Sequence, residues 1–169
     1  LFYESDSEGT VSEMDMKKTD LAYIAGIIDG EGCISIKKAT FTGSRRKQYQ
    51  IMVKVASTDE WLCRYLQMGF GAGQIRINQP PRNSNQFPVW DWRIYSREAY
   101  KILRLVLPYL KIKRPQAELA ITFQEAKRFW GQGKTEEEWA IEEAQYILMS
   151  NLKRNKLSNI EVDINAYMG

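Results

Sequence analysis

The chain has 169 residues, 44% hydrophobic and 27% charged, which suits one folded domain and neither a disordered nor a collagen-like polymer. It contains no histidine and two cysteines, Cys33 and Cys63; imidazole-dependent triads and HEXXH zinc centres are therefore excluded, and the thiols read as ordinary reduced cysteines. The net charge of +3 conceals a strongly basic middle, with 20 basic against 9 acidic residues over 17–133, between ends that are both net acidic. That pattern points to a polyanion-binding body.

Residues 1–16 hold five acidic and no basic side chains and no apolar periodicity. We read residues 1–18 as a flexible acidic leader, 19–155 as the folded domain and 156–169 as a tail. The N-terminal stretch lacks a basic-then-apolar signal pattern, and no run approaches the roughly 18 apolar residues of a membrane span, which argues against secretion and a membrane location.

Thr19 is a candidate N-cap for a helix from Asp20 to about Asp29, stopped by Gly30 and Gly32. Cys33 to Lys38 then alternates apolar and polar, the period of a half-buried strand. A turn over 40–47 carries Arg45, Arg46 and Lys47, and the returning strand places Tyr49, Ile51, Val53 and Val55 on one face and Gln48, Gln50, Met52 and Lys54 on the other. Thr58 is positioned to cap a second helix to about Met68, with Trp61, Leu62, Tyr65 and Leu66 as its apolar stripe. A second hairpin follows, 73–78 with 89–95, joined by a loop containing Pro80, Pro81 and Arg82. Ser96 caps a helix to about Leu107. Pro108 breaks it, and further helices are expected over 113–128 and 136–153. The order is αββαββα with additional helices, hence an α+β fold: a four-stranded antiparallel sheet with helices on one face.

The other face of that sheet is unusually polar. It collects Ser35, Lys37, Gln48, Gln50, Lys54, Gln74, Arg76, Asn78, Asp91 and Arg93, the residue types that hydrogen-bond to base edges in the major groove. With Arg45, Arg46, Lys47 and Arg82 in the hairpin loops, it reads as a β-platform flanked by phosphate-contacting loops. The plain alternative is a solvated face with cross-strand charge pairs such as Arg76 with Asp91.

The first helix carries Ile24-Ala25-Gly26-Ile27-Ile28-Asp29-Gly30-Glu31-Gly32. Small residues Ala22, Gly26 and Gly30, four apart, let two helices approach closely, and the carboxylate of Glu31 projects from the helix end. This nine-residue segment resembles the LAGLIDADG motif. The two polar hairpins and the later segment Pro108 to Ala117 extend the likeness over roughly residues 19 to 125. The resemblance implies a homing endonuclease of the single-motif kind, a homodimer whose motif helices pack around a two-fold axis through Ala22, Ala25, Gly26 and Asp29. It further implies a long pseudo-palindromic double-stranded DNA target read by a saddle of two sheets, in a protein encoded within an intron or intein.

By the same resemblance, cleavage of both strands depends on Mg2+, for which Mn2+ or Ca2+ can substitute in binding. Glu31 and the Gly30 carbonyl hold the metal, Lys113 balances charge at the scissile phosphate, and Ser57 stands where some relatives have a Gln that organises water. Asp29 is expected as a structural acid at the helix end rather than a metal ligand. The location implied is intracellular, in a prokaryotic cytoplasm or an organelle. The alternatives are a maturase that binds intron RNA, a non-cleaving DNA-binding protein on the same fold, and an interaction module whose small-residue helix merely dimerises.

Overall fold

A computed structural model describes residues 16–40, 48–79, 83, 85–127 and 133–154. The acidic leader up to residue 15, the tail from 155, and the basic positions Arg45, Arg46, Lys47 and Arg82 lie outside the described residues.

The elements follow the expected order: α1 (Lys18–Glu31), β1 (Gly32–Ala39), β2 (Gln48–Ser57), α2 (Glu60–Phe70), β3 (Gln74–Gln79), β4 (Val89–Tyr95), α3 (Ser96–Val106), a 3-10 turn at Leu107–Tyr109, α4 (Arg114–Glu125) and α5 (Glu136–Arg154). The sheet is antiparallel with strand order β1-β2-β4-β3, so the two hairpins meet along their second strands. Register across the join pairs Lys54 with Arg93 and Val55 with Trp92. Because side chains alternate along each strand, that register puts Ile34, Ile36, Ile51, Val53, Val55, Trp92 and Ile94 together on the covered face. Leu21, Ile24 and Ile28 of α1, Leu66 of α2, Ile102 and Leu103 of α3 and Phe123 of α4 close one continuous core over them. Each such aliphatic side chain contributes about 1.5–3 kcal/mol by leaving water.

Several local expectations are corrected. Helix α1 opens at Lys18 with Lys17 as an extended N-cap and no side-chain cap, in place of capping by Thr19. It also runs on through Gly30 to Glu31, because the chain passes from helix into β1 at Gly32 without a left-handed residue. A Cβ on Gly32 would stand 2.6 Å from the Ile28 carbonyl oxygen, so this abrupt exit requires a glycine.

Asp59, not Thr58, caps α2, its carboxylate accepting from the Trp61 amide at 2.9 Å. The inward face of α2 is Cys63, Leu66 and Phe70, whereas Trp61 is 58% exposed. Ser96 does not cap α3: its φ of 49° makes it a left-handed non-glycine at the strand-to-helix corner, and Tyr95 is the N-cap. Ahead of β3, Gly73 (φ 97°) lies so close over the Trp92 indole that a Cβ would fall 2.1 Å from Nε1. The indole donates to the Ala72 carbonyl at 2.9 Å, which settles the buried ring's polar atom.

Candidate nucleic-acid interface and catalytic corner

The uncovered sheet face carries the residues expected of it. Lys37, Gln74, Arg76 and Asn78 are exposed, and Gln48, Gln50, Lys54 and Arg93 are half-buried on the same side. Two expected members are not exposed. Ser35 is 2% exposed with an unpartnered hydroxyl; its cross-strand partner is Met52, also buried, so the short side chain lies beneath its longer neighbours at the middle of the face.

Asp91 is completely buried. Arg93 covers it with two hydrogen bonds, Nε to Oδ1 at 2.7 Å and Nη2 to Oδ2 at 2.6 Å, and Lys54 Nζ approaches Oδ2 at 3.4 Å. The same Nη2 reaches Asn78 Oδ1 at 3.4 Å. Arg76 stands opposite Asp91 in register yet donates to Gln74 Oε1 at 2.7 Å, so the cross-strand pair suggested for it is replaced by a pair along its own strand. Hydrogen bonding to Asp91 holds the Arg93 guanidinium above its ordinary pKa, a cation at every accessible pH.

The corner where α1 ends is built around Asp29. Its carboxylate accepts from three consecutive backbone amides of the segment before α4: Lys111 at 2.7 Å, Ile112 at 3.2 Å and Lys113 at 2.8 Å. Asp29 is therefore an anchor within its own chain, each of its carboxylate oxygens accepting at least one backbone N–H. The anchor delivers Lys113 to the helix end, where its ammonium donates to the carbonyls of Ile28, at 2.9 Å, and Asp29. A cation is favoured at a helix C-terminus, where the carbonyl dipoles converge. Burial pushes the Lys113 ammonium below its ordinary value, while Asp29, Cys33 and Glu31 pull it back up.

Glu31, the last helical residue, is exposed beside this corner. Ser57 ends β2, and its hydroxyl accepts from the Asp59 amide at 2.9 Å, a local turn bond at the start of α2. A cleft of about 230 Å³ adjoins the corner, lined by Gly32, Cys33, Ile34, Lys113, Gln116 and Lys153. Cys33, Gln116 and Lys153 were not expected there. Cys33 could have been found from the strand alternation that puts it on the polar face; nothing local in the sequence links Lys153, forty residues on from Lys113, to the cleft. The Gln116 amide donates to the Leu152 carbonyl at 3.4 Å and ties the last turn of α5 to the first of α4.

Of the α1 residues expected to pair two copies, Ala22 and Gly26 are exposed, as is Gly30, whereas Ala25 is completely buried among Ile24 and Ile28 and faces the core. A Cβ on Gly26 or Gly30 would meet nothing within 4 Å, so this chain's own packing does not demand a glycine at either place. Alongside the stripe, Tyr23 (54% exposed) packs edge-on against Tyr65, ring centres 6.0 Å apart, and Trp61 stacks on Tyr65 at 5.2 Å. Among the described residues no three His, Cys, Asp or Glu side chains converge to hold a metal, and no helix is long and apolar enough to cross a membrane.

The family model described as LAGLIDADG endonuclease matches residues 24–129, and the chain belongs to that family. Its fold is similar to that of the homing endonuclease I-CvuI in complex with the I-CreI target, at 20% identity over 80% of this chain and 82% of that one, with a TM-score of 0.66. It is also similar to the homing endonuclease I-TnaI (20% identity, 83% and 96% covered, TM-score 0.57) and to the I-LtrWI LAGLIDADG homing endonuclease bound to target DNA (20%, 86% and 47%, 0.56). No curated protein matches the sequence.

Proposed function

We propose that this chain is a homodimeric homing endonuclease that makes metal-dependent double-strand breaks in a long pseudo-palindromic DNA site. The observation that carries the reading is the exposed Glu31 carboxylate at the boundary between α1 and a sheet face rich in Lys, Arg, Gln and Asn. Lys37, Gln48, Gln50, Lys54, Gln74, Arg76, Asn78 and Arg93 supply the base-edge donors and acceptors, and the loop residues Arg45, Arg46, Lys47 and Arg82 supply phosphate contacts. Pairing of two copies is supported by the exposed Ala22, Gly26 and Gly30 stripe, whose glycines serve no internal packing need, and by the aromatic shelf beside it. In a Gly26→Leu variant we expect a folded chain that sediments as a monomer and has lost cleavage.

The donor set fits a hard divalent cation. One carboxylate per chain, Glu31, with the Gly30 carbonyl, is what Mg2+ needs when DNA phosphates and waters complete its shell; Mn2+ or Ca2+ can take the same ligands. When bound, Mg2+ supplies an activated water and stabilises the leaving oxygen. The chain does the rest. Asp29 fixes the segment that carries Lys113, Lys113 presents positive charge beside Glu31 where phosphate charge builds up, and Lys153 lines the adjoining cleft as a second cation. Ser57 ends β2 with the parity of Val53 and Val55, its hydroxyl able to donate to water while accepting from the Asp59 amide.

The test is a cleavage selection with purified protein and a randomised duplex library, in Mg2+ against EDTA, with cut ends sequenced. Metal-dependent double-strand cuts at a near-palindromic sequence are expected. Binding of intron RNA in preference to every duplex, without cuts, would overturn the reading in favour of a maturase.

A further inference from the structure

We infer that Asp91 is a positioning residue for base selectivity and not itself a DNA contact. Its buried carboxylate fixes Arg93 in one pose and offsets the charge of Arg93 and Lys54, so this part of the sheet chooses by hydrogen-bond geometry more than by attraction for phosphate. The inference rests on the duplex-binding reading of the sheet and deepens it.

A carboxylate with no exposed surface is strongly destabilising unless cations and donors satisfy it, and here Arg93 does so through Nε and Nη2 while Lys54 adds its ammonium at 3.4 Å. Asp91 and Arg93 are two apart on β4, and so on one face; Lys54 faces Arg93 across the β2–β4 pair. Two of the guanidinium's five N–H groups point inward to the carboxylate, and Asn78 stands 3.4 Å from Nη2. What remains for a ligand is mainly Nη1, held in a direction the long side chain would not keep by itself. An arginine ordered before binding loses less rotamer freedom on contact, and its plane dictates where an acceptor such as guanine O6 or N7 must lie. The three side chains together carry a single positive charge rather than two, which weakens sequence-independent binding at this spot.

Three proteins test this: wild type, Asp91→Asn and Arg93→Lys, each subjected to selection from a randomised duplex library and then to binding of the selected duplex across a salt series. For Asp91→Asn we expect the log–log salt slope to steepen by about one per bound copy. Preference at one base pair of each half-site should flatten on the order of tenfold. Arg93→Lys keeps the charge but loses the fork, so it should flatten the same base pair with the wild-type slope. Its site is half-exposed, so it reports even where Asp91→Asn fails to fold by circular dichroism. Unchanged preference in Arg93→Lys overturns the inference. A uniform loss of affinity in Asp91→Asn at unchanged slope and preference also overturns it, since that is the mark of a merely structural acid. A wild-type protein that selects no duplex sequence overturns the underlying reading, and this inference with it.

Discussion

Asp29 and Asp91 are the same chemical group used in two ways. At the corner, Asp29 grips three backbone amides of 111–113 and so fixes where one stretch of chain lies against another. On the sheet, Asp91 grips two cationic side chains and fixes where they point, while the strands are already set by their own ladder. Removing the first therefore lets a piece of the fold move; removing the second leaves two partly buried cations without their counter-ion and changes the pose and charge that the sheet presents. The corner also leaves one acid exposed. Asp29 is consumed and its neighbour Lys113 is turned onto helix carbonyls, so Glu31, two residues on, is the carboxylate that stays exposed.

The two acids at the end of α1 should respond oppositely to substitution, and Glu31 carries the larger effect. In Glu31→Gln we expect the cleavage rate to fall by at least about 1000-fold, roughly 4 kcal/mol of transition-state stabilisation, with duplex affinity in Ca2+ within a few-fold of wild type. Stability should be unchanged, because the side chain is exposed. A variant that cuts normally would remove Glu31 from the site. The reverse pattern is expected next door. Asp29→Ala forfeits three charge-assisted hydrogen bonds and should lower unfolding stability by about 3 kcal/mol, a large fraction of the roughly 5–15 kcal/mol of a typical domain. Asp29→Asn keeps an acceptor oxygen and should lose less than half of that. Urea denaturation separates the two; equal losses would mean that charge, not the acceptor, holds the segment.

The fold was largely legible because alternation and helical spacing are local. The polar and apolar faces of all four strands follow from side-chain parity, and Lys54, Arg76 and Arg93 fall on the expected side for that reason. What parity cannot supply is depth. Ser35 and Asp91 sit on the polar face yet are buried, one beneath longer neighbours and the other beneath its own counter-ions, and both outcomes depend on strands far apart in sequence. Of the candidate corner, Glu31 was legible as the residue at the end of the first helix, and Lys113 was reached only through the resemblance; both lie at the end of α1. The partners of Asp29 lie more than eighty residues away, and the face of α1 that Ala25 joins is settled only by what packs on it. Trp61 failed for a simpler reason: an aromatic at helical spacing reads as core, but at the rim of α2 it stacks on Tyr65 instead.

The smallest expected effect extends the comparison to a cation. Lys127 inverts the geometry of Asp29: its ammonium donates to the backbone carbonyl of Tyr49 and lies 4.8 Å from the centre of the Phe123 ring. Burial pushes it below the ordinary lysine value of 10.5, Glu142 pulling it up and Lys134 pushing it further down. Below the depressed folded value the ammonium is charged in both folded and unfolded chains, and the folded state bears the cost of desolvating it. Between the depressed folded value and 10.5 the unfolded chain binds more protons than the folded one, so this group makes stability rise with pH across that window. Urea denaturation of wild type and Lys127→Met at a series of alkaline pH values isolates the contribution, since every other titrating group is shared. The difference should move in favour of wild type as pH increases towards 10.5. A difference that stays constant would mean that the carbonyl bond and the aromatic ring compensate the ammonium in full, and that a backbone partner serves a buried cation as well as three amides serve Asp29.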